Sequence, residues 1–182
     1  MQNLFYEPTP WHTPWMGRVL PVILRLAERF PERTVFTRFI PPERPEAAHG
    51  SWRRYYTHWQ ELTREHVNPR LLELVPPLAK LSPPAAIVDK SVYSAFRAPG
   101  MAEALRAREA DAVIVTGAET DVCVLASVLD AVDRGLRVII AVDAICGSAD
   151  ETHDALMTLY NNRFSQQIET TTSERVLEAW PR

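Results

Sequence analysis

The residue in this sequence best suited to covalent chemistry is Cys123, which lies in the stretch DAVIVTGAETDVCV at 111–124. A sulfur nucleophile acts as its thiolate, and the chain around Cys123 is arranged to favour one. The apolar run Ala112 to Val115 reads as a short buried strand that stops at Gly117. Leu125, Val128, Leu129 and Val132 then recur at helical spacing, with Gly135 as a stop, so a helix begins near Val122. Cys123 is expected in its first turn, where unpaired N–H groups and the positive end of the dipole favour negative sulfur. The competing reading is a packed, inert thiol, because cysteine is among the most buried residue types. A second reactive group is Lys90, at the end of the apolar run Ala85 to Val88 and the Asp89 that follows. A lysine close to a thiol favours the thiolate by Coulomb attraction; taken alone, Lys90 would be an exposed strand-end residue.

The elements that must carry these groups follow an α/β rhythm. Gly17 to Phe30 is helical, with Leu20, Ile23, Leu24, Ala27 and Phe30 on one stripe and Pro31 as its end. Thr34 to Phe39 alternates like a strand. Pro99 and Gly100 open a helix to about Arg108, and Arg137 to Val142 is another buried strand. Ser148 to Glu151 spells a capping box for a helix running from Ala149 to about Phe164. Gln167 to Thr171 reads as an edge strand and Ser173 to Trp180 as a terminal helical turn or two. Strands alternating with helices predict a parallel sheet with helices on both faces, and ligands bind beyond the carboxyl ends of such strands. Lys90 and Cys123 each follow a strand, so they are expected on the same rim.

Between about residues 40 and 84 the rhythm breaks. Eight of the chain's 15 prolines fall there, which argues against regular structure. Ser51 to Leu62 is aromatic-rich and helix-compatible, so the excursion is expected to pack through Trp52, Tyr55, Tyr56 and Trp59. It would form a pocket wall, a subunit contact or a satellite hydrophobic cluster. With 182 residues, the chain is expected to be a single domain over 1–182.

Charge and composition exclude several functions. A net charge of −3 carries no footprint for nucleic acid or an anionic membrane. No apolar run is long enough to span a bilayer, and the first residues lack a signal-peptide pattern, so the expected location is cytoplasmic. Cys123 and Cys146, the only two cysteines, are too few for a disulfide framework. No Cys/His cluster has metal-ligand spacing, so neither a metal nor another cofactor is expected.

Taken together, these motifs resemble the isochorismatase-like cysteine hydrolases, the group that includes nicotinamidases and N-carbamoylsarcosine amidases. TGAETDVCV at 116–124 is similar to that family's nucleophile segment and KSVYSAF at 90–96 to its lysine segment. DRGLRVIIAVDAICGS at 133–148 is similar to the strand and turn that follow. The resemblance implies a three-layer α/β/α fold on a six-stranded parallel sheet of order 3-2-1-4-5-6. It implies an Asp, Lys and Cys triad, with Cys123 as nucleophile and Lys90 holding and activating it. It also implies a cis peptide between Ala118 and Glu119, with the backbone N–H groups of Glu119 and Cys123 as oxyanion donors. Phe5, Trp52 and Tyr55 are the candidates for the substrate wall. A homodimer or larger homo-oligomer acting on a small-molecule substrate is implied as well.

The sequence also departs from the family. The aspartate that ends the family's first strand, and that strand itself, have no counterpart before MQNLFY. In the family order that strand lies between those of Thr34 and Ala112, so two half-sheets with unpaired edges are expected without it. The expectation is that Met1 is an internal methionine and that an extension supplies the strand and the aspartate, which the intact mass of an active preparation would test. Glu7 and Asp89 are substitutes by position only. The segment RFIPPERPEAAH lacks the Asp-x-His spacing of the nicotinamidase metal site, which disfavours nicotinamide. A cysteine favours hydrolysis of an amide, ureide or related C–N bond through a thioester over isochorismate-type vinyl-ether hydrolysis. The alternative is an inactive family member that binds a small molecule or partner.

Overall fold

The computed structural model describes residues 1–180. A short helix α1 (Asn3–Tyr6) leads to α2 (Met16–Arg29), then strand β1 (Val35–Phe39). The proline-rich excursion holds α3 (Ser51–His58), short 3-10 turns and α4 (Pro76–Ala79). Strand β2 (Ala86–Lys90), α5 (Met101–Arg106) and β3 (Ala112–Ala118) follow. A π-helical turn at Thr120–Val124 runs into α6 (Leu125–Asp133), and β4 (Arg137–Cys146), α7 (Asp150–Asn162), β5 (Ile168–Thr171) and α8 (Ser173–Ala179) complete the chain. The α/β alternation expected from the apolar periodicities is the one the chain forms. The apolar stripe of α2 prevails over Pro21 within it, because Met16, Val19, Ile23, Leu26 and Ala27 are all buried on one side.

All strand pairs are parallel, and they form the two half-sheets expected where the family's first strand has no counterpart. β1 pairs with β2, and β3, β4 and β5 pair in that order. The two sheets stop at β1 and β3 because no strand among the described residues lies between those edges. The free edge of β1 is met instead by a side chain. The Gln2 carboxamide donates to the Phe39 carbonyl at 3.0 Å and accepts from the Phe39 N–H at 2.7 Å. On the other edge, Ile40 N–H donates to Lys90 O at 2.8 Å.

Side-chain alternation on β4 shows the layering. Val138 and Ile140 face a cluster with Val124, Val128, Ala131 and Tyr160, from the π turn, α6 and α7. Ile139 and Ala141 face a cluster with Ile23, Leu26, Ala27 and Val176, from α2 and α8. Phe36 of β1 joins that second cluster, so α2 spans both sheets. The excursion packs on the C-terminal end of β1, where Phe39, Ala48 and Tyr56 are buried together with Trp52 and Tyr55 beside them.

Two elements differ from expectation at their ends. β3 runs on to Ala118, and its register against β4 slips between Val115 and Gly117. Gly117 has φ of +105°, a conformation L side chains rarely adopt, so glycine is required for the slip. The capping box at Ser148 does not form. Ala149 caps α7 without a side-chain bond, and Asp150 and Glu151 answer the helix dipole from the first turn instead. Among the described residues no helix is long and apolar enough to cross a membrane.

Candidate active site

The carboxyl ends of β2 and β3 bring Lys90 and Cys123 together. Lys90 Nζ donates to Cys123 Sγ at 3.3 Å, to Val92 O at 3.0 Å and to Tyr93 O at 2.8 Å. Three acceptors match the three N–H bonds of an ammonium, whereas a neutral amine has only two to give. Its charge also lies over the Phe39 ring, 4.9 Å from the centroid. Lys90 is 5% exposed, so its cation is desolvated and acts on the sulfur at close range.

The loop after β2 is fastened to the helix that carries the cysteine. Ser94 Oγ donates to Asp130 at 2.7 Å, Ala95 N–H donates to Ser127 Oγ at 3.0 Å, and Ser127 Oγ donates to the Cys123 carbonyl at 2.7 Å. Asp130 is further paired with Arg97 and Arg134. The π turn is held from α7, where Thr120 Oγ1 and His153 Nδ1 are 2.8 Å apart. Cys123 therefore sits in this π turn, before the regular α-helix. The shift arises because Glu119 O accepts from both Val122 N–H and Val124 N–H, the latter an i to i+5 bond. The Ala118–Glu119 peptide at the head of the turn is cis.

Electrostatics correct one expectation. Burial raises the Cys123 thiol above its ordinary value, and the opposing pull of Lys90 does not cancel it; the Glu119 carboxylate pushes the same way as burial. Burial likewise lowers Lys90, with the sulfur opposing. The resting sulfur is thus held more as thiol than the helix-terminus argument implied. Burial, the ground of the competing reading of a packed thiol, outweighs the lysine. Cys146 lies in the interior, its thiol pushed up to about 12 by burial first and by Glu119 second.

Cys123 opens into a cavity of about 160 Å³, lined among others by Phe5, Trp11, His12, Phe39, Tyr55, Tyr93, Glu119 and Ser148. Phe5 and Tyr55 thus lie on its wall. Trp52 does not; it packs behind the wall against Tyr93 at 4.8 Å and Tyr55 at 5.5 Å between ring centroids. Trp11, His12, Tyr93, Glu119 through its side chain, and Ser148 were missed by sequence reasoning. Glu119 and Ser148 could have been noticed because both lie within matched motifs, but no periodicity gives a side chain's direction in a turn. Glu7 and Asp89 stand elsewhere, Glu7 bound to Arg70 at 2.6 Å and Asp89 to Arg38 at 2.7 Å. Among the described residues no carboxylate is hydrogen-bonded to Cys123, and no three His, Cys, Asp or Glu side chains converge to hold a metal ion.

The chain is a parallel α/β fold with a lysine beside a cysteine on its rim, and comparison with known proteins shows its family. A family model described as isochorismatase domain matches residues 1–172, and the chain belongs to the isochorismatase family. The chain is similar to a solved cysteine hydrolase from Pseudomonas syringae pv. phaseolicola 1448A, at 28% identity and a TM-score of 0.82, covering 98% of this chain and 87% of that one. It is also similar to maleamate amidohydrolase of Pseudomonas putida, 27% identical over 131 residues, 72% of this chain and 59% of that protein. A further relative is the isochorismatase family protein PncA of Bacillus subtilis (strain 168), 28% identical over 81 residues, 44% of each chain. The chain spans less than two thirds of the length of these two curated relatives.

Proposed function

We propose that this chain is a cysteine hydrolase of a small amide, ureide or related C–N bond, working through a thioester on Cys123. The observation that carries the reading is the 3.3 Å contact between Lys90 Nζ and Cys123 Sγ at the mouth of a small cavity. The desolvated ammonium stabilises sulfur anion as it forms, and so lowers the cost of attack on a carbonyl carbon. The backbone N–H groups of Glu119 and Cys123, at either end of the turn, are the donors for the developing oxyanion. Attack expels the amine and leaves a thioester, which water then hydrolyses. A proton must leave the thiol, reach the departing nitrogen and later be taken from water, a task for a carboxylate. The resemblance assigns that task to an aspartate, and neither Glu7, bound to Arg70, nor Asp89, bound to Arg38, stands where it could serve.

The test is release of ammonia from a panel of small amides, including maleamate and nicotinamide, by the wild type and by Cys123→Ser and Cys123→Ala. Turnover is expected to vanish in both variants while circular dichroism stays unchanged, and denaturing mass spectrometry of the wild type should catch an acyl adduct on the Cys123 peptide. Activity retained in Cys123→Ala would remove the covalent mechanism. A second reading, a non-catalytic member that binds a small molecule in the same cavity, is favoured by one observation. Among the described residues no carboxylate is bonded to Cys123, and burial raises its thiol above the ordinary value. Calorimetric binding of an amide with no turnover would select that reading.

A further inference from the structure

Glu119 is the one carboxylate on the wall of the cavity, and the mechanism above uses only its backbone. Its side chain shares that wall with Cys123, Tyr55, Tyr93 and Ser148. Among the described residues it enters no ion pair, although Asp89, Asp130, Glu7 and Glu169 all do. Among the described residues no lysine or arginine lines the cavity. The Lys90 ammonium already has three acceptors, Cys123 Sγ among them. Burial raises the Glu119 carboxyl above its ordinary value, Ser148 opposing through its hydroxyl and its backbone N–H, and Asp121 adding to the rise. The half-buried carboxylate therefore stands in an aromatic-walled space with lone pairs uncommitted to any cation.

We propose that Glu119 sets substrate specificity: its carboxylate accepts from an amino, ammonium or other hydrogen-bond-donating group of the substrate and turns away substrates that carry a carboxylate. This rests on the hydrolase reading of the same cavity. A donor on the substrate would bond to the carboxylate oxygens, and the aromatic residues Tyr55, Tyr93 and Trp11 on the same wall suit a cationic group. An anionic substrate would instead place two like charges in a small, poorly solvated space, with no guanidinium to offset them.

Charged thiol reagents test this without a known substrate, since Cys123 itself reports the field in the cavity. The protein is reacted at pH 8 with methyl methanethiosulfonate, with its trimethylammonium-ethyl analogue and with its sulfonato-ethyl analogue. Labelling of the Cys123 peptide is followed by mass spectrometry. Each rate is divided by that of free 2-mercaptoethanol, and the cation-to-anion ratio cancels any change in the fraction of thiolate. The wild type is expected to prefer the cationic reagent. Glu119→Gln, close in shape and uncharged, should lower the ratio on the order of tenfold, and added salt should compress the wild-type ratio in the same direction. A wild-type preference for the anionic reagent would overturn the proposal even if the variant failed to fold. A ratio that Glu119→Gln leaves unchanged would overturn it as well. Failure of Cys123 to react with the neutral reagent is a different outcome, which removes the nucleophile and with it the hydrolase reading.

Discussion

At the scale of single residues, the site is a balance between one attraction and one penalty. Lys90 draws the Cys123 proton off, burial pushes it back, and burial prevails in the resting protein. The sign of the pH dependence follows. With the thiol raised, alkylation by iodoacetamide should keep climbing with pH through about 8.5, the ordinary thiol value, and should not level off there. A plateau near neutral pH would show that the ammonium prevails. Lys90→Met removes the cation and leaves burial unopposed, so the rate at pH 7.5 should fall on the order of tenfold or more, while the rate in denaturant stays the same. Cys146, enclosed and pushed up to about 12, should label far more slowly than Cys123 in the folded protein. Cys123 and Lys90 were legible in the sequence because each follows an apolar run, Lys90 just past Asp89 and Cys123 across a glycine turn. The Glu119 side chain, His12 and Tyr93 were not, since they come from turns whose directions no period encodes.

At the scale of elements, the site depends on a clamp between the loop after β2 and α6. Ser127 is its pivot, donating to the Cys123 carbonyl and accepting from Ala95 N–H. Ser127→Ala leaves that amide without its acceptor, at a cost of about 1–3 kcal/mol, and frees the loop whose carbonyls hold Lys90. Denaturant unfolding should show that loss, and the alkylation profile of Cys123 should move toward that of Lys90→Met; a profile identical to wild type would show that Lys90 is held by its strand alone. Asp130, the other anchor, is pushed up by burial, but Ser94, Arg134 and Arg97 outweigh this and hold it below its ordinary value. Its folded value is depressed, so its stabilising contribution is complete above the unfolded value of about 3.9 and is lost as pH falls through the folded one. Asp130→Asn should therefore flatten the acid limb of the stability curve and leave the alkaline limb unchanged. Helices and strands were legible from periods of 3.6 and 2 and from apolar runs; α2 and β1 lie within a residue of where these put them, while β4 starts where expected and runs on past Val142 to Cys146. The π turn and the unused capping box were not, because both are decided by tertiary partners: the Thr120 to His153 contact in one case, and the nearness of Ser148 to Glu119 in the other.

At the scale of the whole molecule, what joins the two sheets is packing, with no ladder between β1 and β3. The separation was legible in the sequence as a missing run of strand-like residues; what occupies the β1 edge was not, because Gln2 does there with a side chain what a strand does with its backbone. Gln2 is 2% exposed. Its carboxamide satisfies both the N–H and the C=O of Phe39 and donates to Leu72 O at 2.8 Å, joining β1, the excursion and the first residues of the chain. Phe39 in turn walls the cavity and lies under the Lys90 ammonium, so this contact couples cohesion of the molecule to the floor of the site. Gln2→Leu keeps most of the volume and removes every one of those bonds. A buried N–H and two carbonyls lose a partner, which should cost on the order of 3 kcal/mol in urea unfolding and lower the melting temperature by about 6–12 °C. The Phe39 amide should lose protection from hydrogen exchange while amides of β4, deep in the other sheet, keep theirs. Equal loss in both sheets would mean that the halves unfold as one unit and that α2, by spanning them, outweighs the missing ladder.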